Sequence, residues 1–303
     1  MRNTGMAELL AVVAVSTHRS FRAAAAELGM SASALSHAVA ALEQRMGVRL
    51  FNRTTRSVAL SEAGEQFLAR VRPALRDISE AMDLVNQFRD RPAGTLRLNA
   101  SEGAARRIFT PIVLEFLKRY PDMQVDLVTE GRLVDIVAEG FDAGIRLQEA
   151  VPQDMIAVPC SPPLRFVVVA SPGYLQGRPS LRVPADLLTH SCIRSRMPSG
   201  AIARWEFEKH GETLSVDVKG PLTLDTPALR VEAALHGVGL AWVTEWAAAA
   251  DVAAGRLVRV LDDWMPVYPG LCLYYPGHRH IAAGLRAFIA LIREVNGPPA
   301  PQG

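Results

Sequence analysis

Residues 21–46 constrain this chain more than any other stretch, because their order of small, flexible and capping residues has one comfortable shape. Ala23, Ala24, Ala25 and Ala26 lie in a short helix over 21–28 and carry almost no bulk to hold a neighbour away. Gly29 follows as a left-handed stop, and Ser31 two residues later is a good N-cap for the next helix. Helix, glycine turn, helix is the predicted result. In the second helix, over 32–46, Leu35, Val39, Leu42 and Met46 share one face, while Ala32, Ser33, Ser36, His37 and Ala40 share another. One face packs and the opposite one is small and polar. Upstream, Met6, Leu9, Leu10 and Val13 recur at three and four and are expected to form the core face of a first helix over 6–15.

Downstream, 48–60 is apolar at both ends with Asn52, Arg53, Thr54, Thr55 and Arg56 in the middle, as expected of a two-stranded wing with a polar tip. Ser61 then caps a long helix whose first turn holds Glu62 and Glu65. Phe67, Val71, Leu75, Ile78, Met82, Val85 and Phe88 follow one another at an average of 3.5 residues, the period of a coiled-coil seam, which points to a dimerisation helix over 61–90. Pro73 removes one hydrogen bond from that helix and is expected to bend it.

Net charge becomes informative only when divided by region. Residues 1–60 hold seven arginines against three glutamates, so a chain of net charge +2 concentrates an excess of four positive charges at one end. A groove about 12 Å wide admits a helix whose leading face is not bulky, which suits Ser33, Ser36 and His37 for base edges or phosphates. Ser31 stands where a helix N-terminus favours an anion. Arg49, Arg53 and Arg56 sit where a wing meets a DNA backbone, contacts that position without reading sequence. For His37 and each wing arginine the plain alternative is a solvated surface side chain.

Arg91, Pro92, Ala93 and Gly94 break the helical pattern and mark a linker. Beyond them short strands and helices alternate. Strands are expected at 95–100, 124–129, 143–146, 164–170, 239–243 and 271–275, and helices at 104–119, 133–139, 227–237 and 281–295. This order predicts an α/β fold with a mixed sheet, divided into lobe I at 91–163 and 270–303 and lobe II at 164–269. Cys160, Cys192 and Cys272 are odd in number and far apart, so neither a disulfide framework nor a zinc site is indicated. They read as small buried hydrophobes, with a thiol redox switch as the sharper alternative. No leader, no membrane span and no cofactor motif is seen, which makes the cytoplasm the default compartment. G-x-S-x-G, P-loop, G-x-G-x-x-G and H-E-x-x-H arrangements are missing, so a solute-binding or enzymatic domain with a helical adaptor is the weaker reading.

The run 20–29, then Ser33-Ala34-Leu35-Ser36-His37, Leu42-Glu43, Gly47-Val48-Arg49-Leu50-Phe51, Arg53-Thr54-Thr55-Arg56 and Leu60-Ser61-Glu62-Ala63-Gly64, resembles the LysR-type transcriptional regulators. Further on, Phe141-Asp142-Ala143-Gly144-Ile145-Arg146, Ser171-Pro172, Tyr174-Leu175, Pro198-Ser199-Gly200 with Trp205, Gly237 with Gly239-Leu240-Ala241, and Tyr274-Tyr275-Pro276 are similar to the family's sensing domain, so the resemblance spans nearly the whole chain. It implies a winged helix-turn-helix at 1–60, a linker helix pairing two chains, and a two-lobed domain of the periplasmic-binding-protein type at 91–303. It also implies homodimers or dimers of dimers on double-stranded promoter DNA at the nucleoid, and a small-molecule effector, of a kind left open, between the lobes. No reaction is implied.

Carried across, the cleft is expected to be lined by Ser101, Glu102, Gly103 and Ala104, by Thr129, Glu130 and Arg146, by Arg196, Pro198, Ser199 and Gly200, and by Asp225, Thr226 and Trp242. Arg146 is open to two readings, an effector carboxylate or an internal ion pair. Trp242 is read as core before ligand platform. Ala32 stands where many members have a glutamine, and Glu102 where a small or hydroxylated residue is usual. That carboxylate suits a cationic group, or the neutralisation of Arg106 or Arg107.

Overall fold

The computed structural model describes residues 5–53, 58–86, 92–197, 199–277 and 281–296, the side chains of 53, 76 and 79–86 excepted. The chain divides into two units, residues 1–85 and 86–303. In the first, helices α1 (Met6–His18), α2 (Phe21–Glu27) and α3 (Ala32–Met46) precede strands β1 (Phe51–Arg53) and β2 (Val58–Leu60) and the long helix α4 (Glu62–Asn86). The α2–α3 turn closes as expected. Gly29 takes φ +62°, and the Met30 amide donates to the Ala25 carbonyl at 2.9 Å, which satisfies carbonyls that the end of α2 would leave unpaired.

The core of this unit gathers Val12, Val15, Ala24, Ala25, Leu35, Val39, Leu42, Leu50, Phe51 and Leu68. One expectation is corrected here. Leu9 and Val13 pack half-buried against this core as expected, but Met6 and Leu10 are exposed, as is Met46 at the end of α3, and α1 buries Ala11, Val12, Ala14 and Val15 most deeply. Helix α1 is apolar nearly all round, so spacing alone leaves its inner face undetermined. The small pairs Ala11, Ala14 and Ala24, Ala25 win because they let α1 and α2 approach closely. Pro73 lies inside α4 without ending it. Of the predicted seam, Phe67, Val71 and Leu75 are half-buried and Ile78 is exposed. Met82, Val85 and Phe88 fall outside the described side chains.

The second unit begins with β3 (Gly94–Ala100) and α5 (Glu102–Ile108), which continues through a π-helical segment, Phe109–Leu114, into α6 (Glu115–Arg119). Pro111 lies in the π segment. Its ring cannot sit over the carbonyl four residues back and it donates no hydrogen bond, so the helix widens to i→i+5 pairing rather than breaking. Strands β4 (Met123–Thr129), β5 (Ala143–Leu147) and β6 (Met155–Pro159) follow. The helix expected at 133–139 is not formed. Asp135 Oδ1 accepts the amides of Val137 and Ala138 at 2.9 Å each, and a single turn results. Val134, Ile136 and Phe141 are buried beside Tyr274, an arrangement that an extended approach permits and a helix would not.

Lobe II runs through β7 (Leu164–Ala170), α7 (Pro172–Leu175), β8 (Cys192–Ser195), the hairpin β9 (Trp205–Lys209) and β10 (Glu212–Val216), β11 (Thr223–Leu224), α8 (Pro227–Leu235), β12 (Leu240–Thr244), α9 (Glu245–Ala253), β13 (Val258–Val260) and β14 (Val267–Tyr268). Its sheet has the order β11-β8-β12-β7-β13, with β14 added to β7. Strand β15 (Leu271–Pro276) and helix α10 (Ala283–Asn296) then return, giving a lobe I sheet of order β4-β3-β5-β15-β6. Phe288 of α10 is fully buried and meets Phe116 edge to face at 5.1 Å. The sequence reading passed over β6, β8, the β9–β10 hairpin and α9. In both lobes the parallel strands end toward the loops that begin α5 and α8, the position at which open α/β sheets bind ligands.

Candidate nucleic-acid interface and interlobe cleft

Helix α3 begins at Ser31, whose Oγ accepts the Ala34 amide at 3.1 Å and lies 3.0 Å from Ser33 Oγ. The hydroxyl is thus committed to capping, and any anion at this end would meet backbone amides and Ser33. Ala32, Ser33, His37 and Ala40 are exposed and Ser36 is half-buried, so the small polar face faces outward, opposite Leu35, Val39 and Leu42.

The wing is anchored to α3 by Glu43, to which the sequence alone gave no role. Glu43 Oε1 accepts the amides of Leu50 at 2.8 Å and Phe51 at 3.2 Å, which fixes where β1 starts. Ser61 Oγ donates to the Arg49 carbonyl at 2.6 Å while accepting the Gly64 amide at 3.0 Å. A Cβ at Gly64 would stand 2.1 Å from the Leu50 carbonyl oxygen, so the close seating of α4 on the wing requires glycine. Arg49 is exposed and Arg53 ends β1, whereas Thr54, Thr55 and Arg56 lie outside the described residues. Arg45 is spent internally: Nη1 donates to Glu8 Oε1 at 2.7 Å, linking α3 to α1, and this bond holds the Glu8 carboxyl below its ordinary range.

In lobe I, Ser101 Oγ caps α5 by accepting the Ala104 amide at 3.3 Å, and Gly103 lies in the first turn. Glu102 Oε1 accepts Arg106 Nε at 3.0 Å, one of the neutralising pairs expected for it. Thr129 is exposed, and Glu130 Oε1 accepts Arg132 Nε at 2.7 Å. Arg146 forms no ion pair among the described residues, which corrects one of its two expected roles. It is 5% exposed and directs Nη1 to the Ile145 carbonyl at 2.8 Å, and Nη2 to the carbonyls of Arg132 at 2.8 Å and Glu130 at 3.2 Å and to Asn99 Oδ1 at 2.5 Å. Burial draws its pKa down. By taking the carbonyls of 130 and 132, this guanidinium ties down the segment after β4, and the Arg132 carbonyl is no longer the open acceptor at which a helix over 133–139 would start.

In lobe II, Arg196 is exposed and Nη1 donates to the Gly200 carbonyl at 3.2 Å, closing the loop that carries Ser199. Pro198 lies outside the described residues. Asp225 Oδ1 accepts the Thr226 hydroxyl at 3.1 Å. Trp242 is core, stacked on Phe166 with centroids 4.2 Å apart and near Trp205 at 6.5 Å. Arg230 was missed in the sequence. It is 8% exposed and its Nη1 donates to Ser195 Oγ and to the Trp242 carbonyl at 2.9 Å. Burial lowers its pKa to about 10 against the opposing pull of the Asp225 and Glu102 carboxylates. A signal was present: Arg230 stands with Val231 and Ala234 on the buried stripe of α8, a place where a charge is costly. Arg107 of α5 lies 5.7 Å from the Trp246 ring of α9, a cation–π contact joining the lobes beside the cleft.

The cysteines are free and buried. Burial pushes Cys160 and Cys192 up to about 12 and raises Cys272 as well, so the reactive thiolate is suppressed.

Residues 6–65 match the bacterial regulatory helix-turn-helix proteins of the lysR family, and residues 89–297 match the LysR substrate binding domain. Similar proteins include the HTH-type transcriptional regulator YcaN of Escherichia coli strain K12, 43% identical over 95% of this chain and 94% of its own length. PgrR of the same organism, also an HTH-type transcriptional regulator, is 39% identical over 95% and 97%. Among solved structures, the Vibrio cholerae virulence activator AphB shares the fold with a TM-score of 0.67 at 22% identity, over 96% of this chain and 99% of that one. CrgA of Neisseria meningitidis, a LysR-type transcriptional regulator, gives 0.59 at 26% identity over 97% and 99%. With a lysR helix-turn-helix at one end and the matching substrate binding domain over most of the rest, the chain belongs to the LysR family of transcription regulators.

Proposed function

We propose that this regulator inserts the outward face of α3 into the major groove of promoter DNA, with Ser33, Ser36 and His37 toward base edges and phosphates. Arg49, Arg53, Thr54, Thr55 and Arg56 of the wing hold the flanking backbone. The observation that carries this reading is the small, polar, exposed face of α3 backed by Leu35, Val39 and Leu42 and tied to the wing through Glu43. Two chains pair through the helix at 61–90, as homodimers or dimers of dimers, and the half-covered seam of Phe67, Val71 and Leu75 supports such pairing.

Residues 91–303 then serve as the sensor. A small molecule held between lobe I (91–163 and 270–303) and lobe II (164–269) biases how the DNA-binding heads are arranged, a population shift rather than a reaction. The protein works in the cytoplasm, on the nucleoid. The test begins with genomic fragments recovered on the full-length protein. Fluorescence anisotropy on such a fragment is expected to show at least about tenfold weaker binding for Ser36→Arg and for Arg53→Ala, as loss of groove fit or of a phosphate contact requires. Unchanged affinity in both variants, with unchanged melting, would refute the assigned surface.

A further inference from the structure

A buried guanidinium is costly unless carboxylates contact it or acceptors saturate it. Arg230 has neither. Its two hydrogen bonds leave from Nη1 and end on neutral oxygens, Ser195 Oγ and the Trp242 carbonyl. Nε is buried without a partner, and Nη2 donates to no described residue.

The position of the group is as telling as its chemistry. Ser195 ends β8 and pairs in register with Leu224, the last residue of β11, so the guanidinium lies beside the loop carrying Asp225 and Thr226. From the other lobe, Glu102 opens α5 directly after β3. Both carboxylates act on Arg230, yet neither bonds to it: Asp225 Oδ1 takes the Thr226 hydroxyl and Glu102 Oε1 takes Arg106. The Arg107–Trp246 contact ties the last turn of α5 to lobe II. Charges of both signs therefore stand at the strand ends that open α5 and the loop before α8. An anion alone would gain Arg230 and be opposed by Asp225, with Glu102 already paired to Arg106 through one of its oxygens. A cation alone would meet the guanidinium. A ligand carrying both signs at the spacing of an amino acid satisfies the set.

We infer that the interlobe cleft takes a zwitterionic, amino-acid-like effector, its carboxylate on Arg230 and its ammonium group toward Glu102 and Asp225. This rests on the reading of the cleft as the effector site. Full-length protein is titrated by calorimetry and thermal shift with three matched probe sets. These are the twenty L-amino acids with their glycyl dipeptides, the N-acetylated forms with short mono- and dicarboxylates, and the amino-acid amides with diamines. The expected result is a zwitterion that binds, with its acetylated and amidated forms at least about tenfold weaker, the loss of one charge-assisted hydrogen bond. Glu102→Gln is expected to weaken that zwitterion and strengthen its acetylated form. Arg230→Lys is expected to weaken both, and ligand-free melting curves check that each variant is folded.

Absence of binding by every zwitterion, or equal binding of the acetylated or amidated forms, overturns the proposal. An anion that binds alone and is lost in Arg230→Lys overturns it while leaving the cleft reading standing. Zwitterion binding untouched by Glu102→Gln, Asp225→Asn and Arg230→Lys places the ligand elsewhere and defeats both.

Discussion

Each lobe of the sensing domain buries an arginine, and the two are handled in opposite ways. In lobe I, Arg146 makes five hydrogen bonds through both terminal nitrogens, to oxygens of Asn99, Glu130, Arg132 and Ile145. Four of these acceptors are backbone carbonyls, so the side chain fastens three segments of chain. In lobe II, Arg230 makes two, through one nitrogen. Equal burial thus conceals unequal saturation. A buried charge whose capacity is spent on the backbone holds the fold, and one left with capacity at a cleft is available to a ligand.

Removing the more heavily bonded group should cost most, although its Nε, like that of Arg230, is buried without a partner. Arg146→Met leaves the carbonyls of Glu130 and Arg132 without their donor, and at roughly 1–3 kcal/mol for each buried unsatisfied group the loss should reach about 3–5 kcal/mol. For a unit of this size that lowers the melting temperature by on the order of 10 °C in calorimetry. A variant that melts with the wild type would show that the 130–132 segment holds itself, and the contrast between the arginines would fail.

The DNA-binding unit repeats the lobe I arrangement with the opposite sign. Glu43 accepts two backbone amides at the start of the wing, so Glu43→Ala is expected to destabilise that unit by about 1–3 kcal/mol. Operator affinity should fall with it, because the wing loses its seat on α3. Glu43→Gln retains an acceptor oxygen and should recover much of both losses in urea melts and anisotropy. Equal damage from the two substitutions would mean that charge, rather than the accepted hydrogen bonds, holds the wing.

How far each region could be read in the sequence follows the same division. Ser20, Gly29, Ser31 and Ser61 act on amides or carbonyls three to five residues away, so their signals lie in short strings and the helix-turn-helix could be placed from them. Helix α1 was read only in part, Leu9 and Val13 but not Met6 and Leu10, because both of its faces are apolar. The turn at 133–139 was misread because Arg146, some ten residues on, takes the Arg132 carbonyl at which such a helix would start, while Asp135 closes a single turn. The cleft was legible only in part. Glu102, Ser195, Asp225 and Arg230 meet through strand order in two sheets, which no local spacing encodes. The arginine on the buried stripe of α8 was the one trace of it within a single helix.

Arg230 itself offers the smallest and sharpest measurement. Arg230→Met removes a charge that is poorly compensated and fills the space with an apolar chain, so stability should change by no more than about 1 kcal/mol, far less than at Arg146. The pH dependence should separate wild type from variant. Burial holds the folded-state pKa at about 10, well below the ordinary arginine value. Between those two values the unfolded chain binds more protons at this site than the folded one, so the arginine's contribution to stability rises with pH there. The buried thiols act in reverse: Cys160 and Cys192 are raised from 9.0 to about 12, which lowers stability across that interval. Both thiols are present in each protein, so the difference between wild type and Arg230→Met isolates the guanidinium. Urea midpoints from pH 9 to 11 should move in favour of the wild type as pH rises. A difference that stays flat would mean that Arg230 is as well compensated as an exposed arginine, and lobe II would then hold no charge in reserve for a ligand.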